Sequence, residues 1–152
     1  MNIRHLTALA ATALTFLSLA PRADAHCQIP CGIYNDNNVL ESMQTDWLTI
    51  QKASTQIIDL SKDPAANAQQ LTRWVVNKET HAQNIQHKVL NYFLAQRLKT
   101  DDPDKDAYLK KLTLCHKIIV TAMQCKQSTD AANVEALEKL LQDFTAAFGT
   151  KK

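Results

Sequence analysis

The sequence predicts an all-α protein, an up-down antiparallel four-helix bundle preceded by a short cysteine-bearing segment. Three observations predict it. Beyond residue 36, apolar residues recur at steps of three and four, the period that lines side chains along one face of a helix. Only two glycines occur, Gly32 and Gly149, and a sheet-rich fold would need many more at its turns. The gaps between periodic segments are short and hold capping residues, so consecutive helices pack as antiparallel neighbours.

In the first helix Leu40, Met43, Trp47, Ile50, Ser54 and Ile57 form one stripe. Asp63-Pro64 then gives an N-cap with proline at the first helical position, where its missing N–H is no loss. The second helix runs to about Lys99, with Leu71, Trp74, Val75, Ile85, Val89, Tyr92 and Phe93 on its apolar face. Asp102-Pro103 repeats the cap signal. The third carries Tyr108, Leu109, Leu112, Cys115, Ile119, Ala122 and Met123. Ser128-Thr129-Asp130 offers caps for the fourth, whose face is Val134, Leu137, Leu140, Leu141, Phe144 and Phe148 before the stop at Gly149.

The opening of the chain follows different rules. Met1-Asn2-Ile3-Arg4-His5 is a short basic stretch, and Leu6 to Ala20 is a charge-free, mostly apolar run of 15 residues. A membrane-spanning helix needs about 20. The run therefore reads as the core of an export signal, and Ala23-Asp24-Ala25 is the small-x-small pattern at which such signals are cut. An uncleaved anchor is the competing reading. No twin-arginine pair is present, which makes the general secretory route the default. The organisation is then residues 1–25 signal, 26–36 a distinct N-terminal segment, and 37–152 the bundle. Net charge is +2 for the whole chain and +1 once Arg4, Arg22 and Asp24 are removed. Neither value argues for nucleic acid or for a membrane surface after cleavage.

Cysteine placement divides the four thiols into two pairs. Cys115 and Cys125 lie ten residues apart on one predicted helix, about 15 Å along its axis, whereas a disulfide needs Cα atoms within roughly 7 Å. They read as small buried apolar residues. Cys27 and Cys31 precede the first helix, with Pro30 and Gly32 able to bend the chain. A Cys27–Cys31 disulfide is one reading. His26, directly after the cleavage point, supports another. Cleavage frees the His26 α-amine beside its imidazole, the next residue adds an amide nitrogen and the Cys27 thiolate, and the turn can return the Cys31 thiolate. Two nitrogens and two sulfurs in a plane suit Ni(II) or Cu(II), while tetrahedral thiolate sites suit zinc. Such strong donors stabilise an oxidised metal. A metal that alternates between two states can take an electron from one superoxide and give one to the next.

The segment His26-Cys27-x-x-Pro30-Cys31-Gly32-x-Tyr34 resembles the metal hook of the nickel-containing superoxide dismutase family in every defining position. Further along, Leu71-Thr72-Arg73-Trp74-Val75-Val76-Asn77-Lys78-Glu79, Asn91-Tyr92-Phe93, Lys110-Lys111-Leu112-Thr113-Leu114 and Cys125-Lys126-Gln127 are similar to segments of its cyanobacterial-type branch. The resemblance implies a superoxide dismutase on a four-helix bundle, assembled as a homohexamer, with nickel bound by His26, Cys27 and Cys31. It implies that Tyr34 stands near the open axial face, ordering water and admitting only small anions, and that Tyr92 matches a second tyrosine near the site. In actinobacterial members a glutamate and an arginine hold the terminal imidazole. Glu41 lies one residue from that glutamate's place and His81 replaces the arginine, so Glu41 and His81 are the candidates for that role. His87 and His116 are isolated helical histidines and, like His81, are not assigned to nickel.

The family more often matures by losing a short propeptide in the cytoplasm, whereas this sequence implies an exported enzyme, periplasmic or extracellular. Two other classes fit parts of the sequence. One is an exported nickel or copper carrier that binds metal without turnover. The other is a helical interaction protein with a Cys27–Cys31 disulfide.

Overall fold

A computed structural model of the chain describes residues 36–149; residues 26–35, including His26, Cys27, Cys31 and Tyr34, lie outside them, as do residues 1–25, read above as an export signal. The described residues form helix α1 (Asn37–Leu60), helix α2 (Pro64–His87) running directly into a π-helical segment (Lys88–Arg97), helix α3 (Lys105–Gln127) and helix α4 (Ala131–Phe148). No strand occurs among them.

The helices start where the sequence offers acceptors for their free N–H groups. Asp63 accepts from Ala66 N at 3.2 Å, with Pro64 at the first position of α2. Asp130 accepts from Ala132 N at 3.0 Å at the start of α4. Before α3 the expected Asp102-Pro103 cap moves two residues on. Asp104 caps Ala107 N at 2.9 Å, and Asp102 instead binds Asp104 N at 3.0 Å. Two aspartates compete here, and the one adjoining the helix wins. Gly149 ends α4 in extended backbone rather than the left-handed region. Its lack of a side chain matters for another reason, because a Cβ there would lie 2.5 Å from the Thr145 carbonyl oxygen.

Cross-links show the up-down course. Between α2 and α3, Lys78 meets Cys125 and Gln86 meets Ile119, so later residues of one helix face earlier residues of the other. Between α1 and the α2–π unit, Asp46 meets His81 while Asp36 meets Arg97. Trp47 Nε1 donates to the Val134 carbonyl at 2.9 Å and ties α1 to the start of α4. All four helices thus close around one core.

The α1 stripe is buried throughout, from Leu40 to Ile57, and α4 buries Val134, Leu137, Leu141 and Phe144. At the end of the bundle where α1 begins, Phe93 stands edge-on to Tyr92, Phe144 and Phe148, with ring centroids 5.0, 4.7 and 5.0 Å away. Such pairs add about 0.5–1.5 kcal/mol each beyond burial. The middle helices differ from expectation. Val75 is exposed on α2, and on α3 Leu109, Leu112 and Met123 are exposed while Leu114, Cys115, Ile118, Ala122 and Cys125 are buried. Helix α3 has two apolar stripes, and the core takes the one that carries Cys115, Ala122 and Cys125 with Leu114 and Ile118.

Candidate functional site

Helix α1 opens at Asp36, two residues beyond Tyr34. Asp36 has helical backbone angles but does not cap its own helix with its side chain. Its carboxylate turns into the bundle, 2 % exposed, where Tyr92 Oη donates to Oδ1 at 2.5 Å and Arg97 Nε donates to Oδ2 at 2.8 Å. Both donors come from the π-helical segment. There Leu98 N–H donates to the Phe93 carbonyl five residues back, at 2.8 Å. Five-residue bonding stacks residues i and i+5 on one face; in an ordinary helix they would diverge by more than a quarter turn. The wide winding thus delivers Tyr92 and Arg97 to one carboxylate.

A second buried acid lies further along α1. Asp46 accepts from Lys88 Nζ and meets His81 Nδ1 at 2.7 Å, with Asn84 Nδ2 at 3.4 Å. The imidazole of His81 is thereby oriented by Asp46, one ring nitrogen bound to the carboxylate and the side chain about a third exposed. Glu41 is exposed on α1, in a groove shared with Asn37, Leu40, Gln44 and Thr145. Of the sequence candidates in the described residues, Tyr92 bonds Asp36 at the start of α1, His81 belongs to the Asp46 cluster, and Glu41 lines a groove on α1.

A third buried charge packs against the end of α3. Lys78 Nζ donates to the carbonyls of Cys125, Lys126 and Ser128 at 2.5, 2.6 and 3.1 Å, which caps the C-terminus of α3. Burial pulls its pKa below the ordinary lysine value, while three carbonyls at the negative end of a helix favour the ammonium form. The hydrogen bonds settle its role, since a neutral amine could not donate to all three.

Sequence reasoning did not find Asp36, Arg97, Asp46 or Lys78. A signal existed for Asp46, which falls three residues after Met43 on the buried stripe. A charge on a core stripe requires a buried partner. No such signal marked Arg97, because its spacing from Tyr92 is helical only in the π form.

Among the described residues no group of three metal-binding side chains gathers at one point. The two thiols there are free and buried, and burial pushes both up to about 11. They are neutral thiols at physiological pH, and the thiolate is the metal ligand. The sequence candidates His26, Cys27 and Cys31 lie outside the described residues; an imidazole and two thiolates are donor types that suit nickel.

A family model for nickel-containing superoxide dismutase matches residues 21–152, a span that includes the hook and the whole bundle. No curated protein and no solved structure matches the chain. The match extends over most of the chain, so the protein belongs to the nickel-containing superoxide dismutase family.

Proposed function

We propose that this nickel superoxide dismutase works from a mature N-terminus at His26, with the metal held by the His26 amine and imidazole, the Cys27 amide and thiolate, and the Cys31 thiolate. The observation that carries the reading is the pattern His26-Cys27-x-x-Pro30-Cys31-Gly32-x-Tyr34 directly after Ala23-Asp24-Ala25, inside the matched span. Bound nickel supplies one-electron chemistry by alternating between Ni(III) and Ni(II). Two superoxide ions and two protons become one oxygen and one hydrogen peroxide.

The residues divide the remaining tasks. Cleavage after Ala25 creates the amine donor, since an amide in its place is far less basic. Cys27 and Cys31 donate as thiolates, which requires that they stay reduced until nickel arrives; in an oxidising compartment their disulfide is the competing product. Tyr34 orders water at the access face and restricts entry to small anions. Glu41 and His81 are the candidates for orienting the His26 imidazole. The Asp46 carboxylate behind His81 supports that role, because an outer partner must itself be held in place.

Residues 1–25 act as an export signal, which makes the working compartment the periplasm or the medium. Six copies assemble through helical faces, and the exposed Leu109, Leu112, Val120 and Met123 along α3 supply apolar surface for such contacts.

The test compares two forms of the protein, one released to begin at His26 and one retaining a methionine before it. The first should bind one nickel per chain and dismutate superoxide; the second should bind nickel weakly and show almost no activity. Equal activity would exclude the amine as a ligand. Stoichiometric copper or zinc without nickel in the native exported protein would exclude the proposed cycle.

A further inference from the structure

We infer that Asp36, gripped by Tyr92 and Arg97, is the positioning anchor of the nickel hook. The inference rests on the hook reading and adds Asp36 and Arg97 to it.

The chain itself sets the reach. A residue spans at most about 3.3–3.6 Å. Tyr34 is two residues and Cys31 five residues from Asp36 along the chain. Of the metal-binding groups, Cys31 is the one most tightly tethered to this point. A shift or rotation at Asp36 reaches Tyr34 through about four backbone torsions and Cys31 through about ten.

The anchor is built for rigidity. Asp36 is buried, both carboxylate oxygens accept hydrogen bonds, and one bond comes from a guanidinium, which strengthens it. Tyr92 is itself fixed edge-on against Phe93 at 5.0 Å, and Phe93 packs on α4 through Phe144. Arg97 is about a third exposed, so its stem lies on the bundle while its head closes over the carboxylate. An N-cap for α1 alone would need none of this, and the Asp36 side chain does not act as one.

The experiment uses the full mature chain beginning at His26. Nickel(II) affinity is measured by competition with a chelator, the Ni(III) spectrum by electron paramagnetic resonance, and the nickel-free bundle by thermal unfolding. Asp36→Asn and Arg97→Met should each weaken nickel binding about 10-fold or more, the range for residues that hold metal ligands in place. Both should also broaden or shift the Ni(III) signal. Arg97→Lys, which keeps the charge, should recover part of the affinity. The nickel-free unfolding temperature should move little in Asp36→Asn, and this isosteric change decides the matter should Arg97→Met lose helicity. Wild-type affinity and spectrum in both variants, alongside loss of nickel in Cys27→Ser, would overturn the anchor and leave the hook standing. Wild-type nickel binding in Cys27→Ser would remove the hook itself. Loss of nickel strictly in proportion to loss of bundle stability would reduce Asp36 to a structural residue and also overturn the inference.

Discussion

Asp36 and Asp46 are both buried on α1, both ionic, and both tied to the α2–π unit, yet they are held differently. Asp46 is met by His81 and Asn84 on α2 and by Lys88, the first residue of the π-helical segment, spaced by three and four. Asp36 is met by Tyr92 and Arg97, spaced by five. The first arrangement is what two ordinary helices make when an acid on one faces a polar stripe on the other. The second exists only because the helix widens. Asp46 therefore locks the middle of the bundle, and Asp36 locks the start of α1 at its end.

The difference can be broken by making one chemical change at both sites. Asp46→Ala leaves the Lys88 ammonium and the His81 imidazole facing a small apolar side chain. Removing one member of a buried ion pair costs about 3–5 kcal/mol, and partial exposure of Lys88 and His81 should lower that to about 2–3 kcal/mol. Asp36→Ala should cost about 1 kcal/mol less, since the first turn of α1 can open locally without unfolding the core. Nickel affinity should rank the other way, with Asp36→Ala the weaker binder. Denaturant unfolding of the nickel-free chains, paired with chelator competition, checks both rankings. The same order for stability and for nickel would erase the distinction.

Lys78 supplies a buried charge of opposite sign as a control. Lys78→Met keeps the stem and removes three hydrogen bonds to the end of α3. Loss of hydrogen bonds to a charged group costs about 1.5–3 kcal/mol, so a drop of about 2 kcal/mol is expected. Nickel binding should stay unchanged, because the site lies beside residues 125–128 and away from Asp36. A large loss of nickel in this variant would mean that the metal responds to any buried charge.

These three sites also show what a sequence can and cannot reveal. Helices α1 and α4 were readable residue by residue, since each has a single apolar stripe and the core had no choice. Helix α3 was not, because Leu109, Leu112, Val120 and Met123 form a second stripe as apolar as the buried one. Periodicity finds stripes but does not rank them. The family could be read from the N-terminal segment because the proposed metal chemistry there is local: His26, Cys27 and Cys31 fall within six residues. The Asp36 anchor was hidden because a π-helical spacing of five matches no period by which a sequence is scanned.

Thiol chemistry separates the two regions again, by a smaller effect. Cys115 and Cys125 are buried with pKa values raised to about 11. Their folded values lie above the ordinary 9, so the fold favours the protonated thiol. That contribution is complete below about pH 9 and is lost as pH rises through about 11. In the folded, nickel-free and reduced chain at pH 8, a thiol reagent should therefore modify Cys27 and Cys31 rapidly and spare Cys115 and Cys125. Denaturant should expose all four. Rapid native-state labelling of Cys125 would show that the α2–α3 contact beneath Lys78 opens far more easily than its hydrogen bonds imply.

The smallest expected effect concerns Glu41, which lies between the two buried acids on α1 but on an exposed surface. Glu41→Gln keeps its size and removes a charge that water already solvates, so bundle stability should change by less than about 0.5 kcal/mol. This near-neutrality makes the variant informative, because any change at the metal cannot come through the fold. If Glu41 orients the His26 imidazole, Glu41→Gln should alter the nitrogen hyperfine pattern of the Ni(III) signal while leaving the nickel content at one per chain. The Asp36 anchor acts on Cys31 through the tether, so Asp36→Asn should change nickel affinity and need not touch that imidazole pattern. An unaltered Ni(III) spectrum in Glu41→Gln would remove Glu41 from the site and leave His81, oriented by Asp46, as the remaining candidate partner.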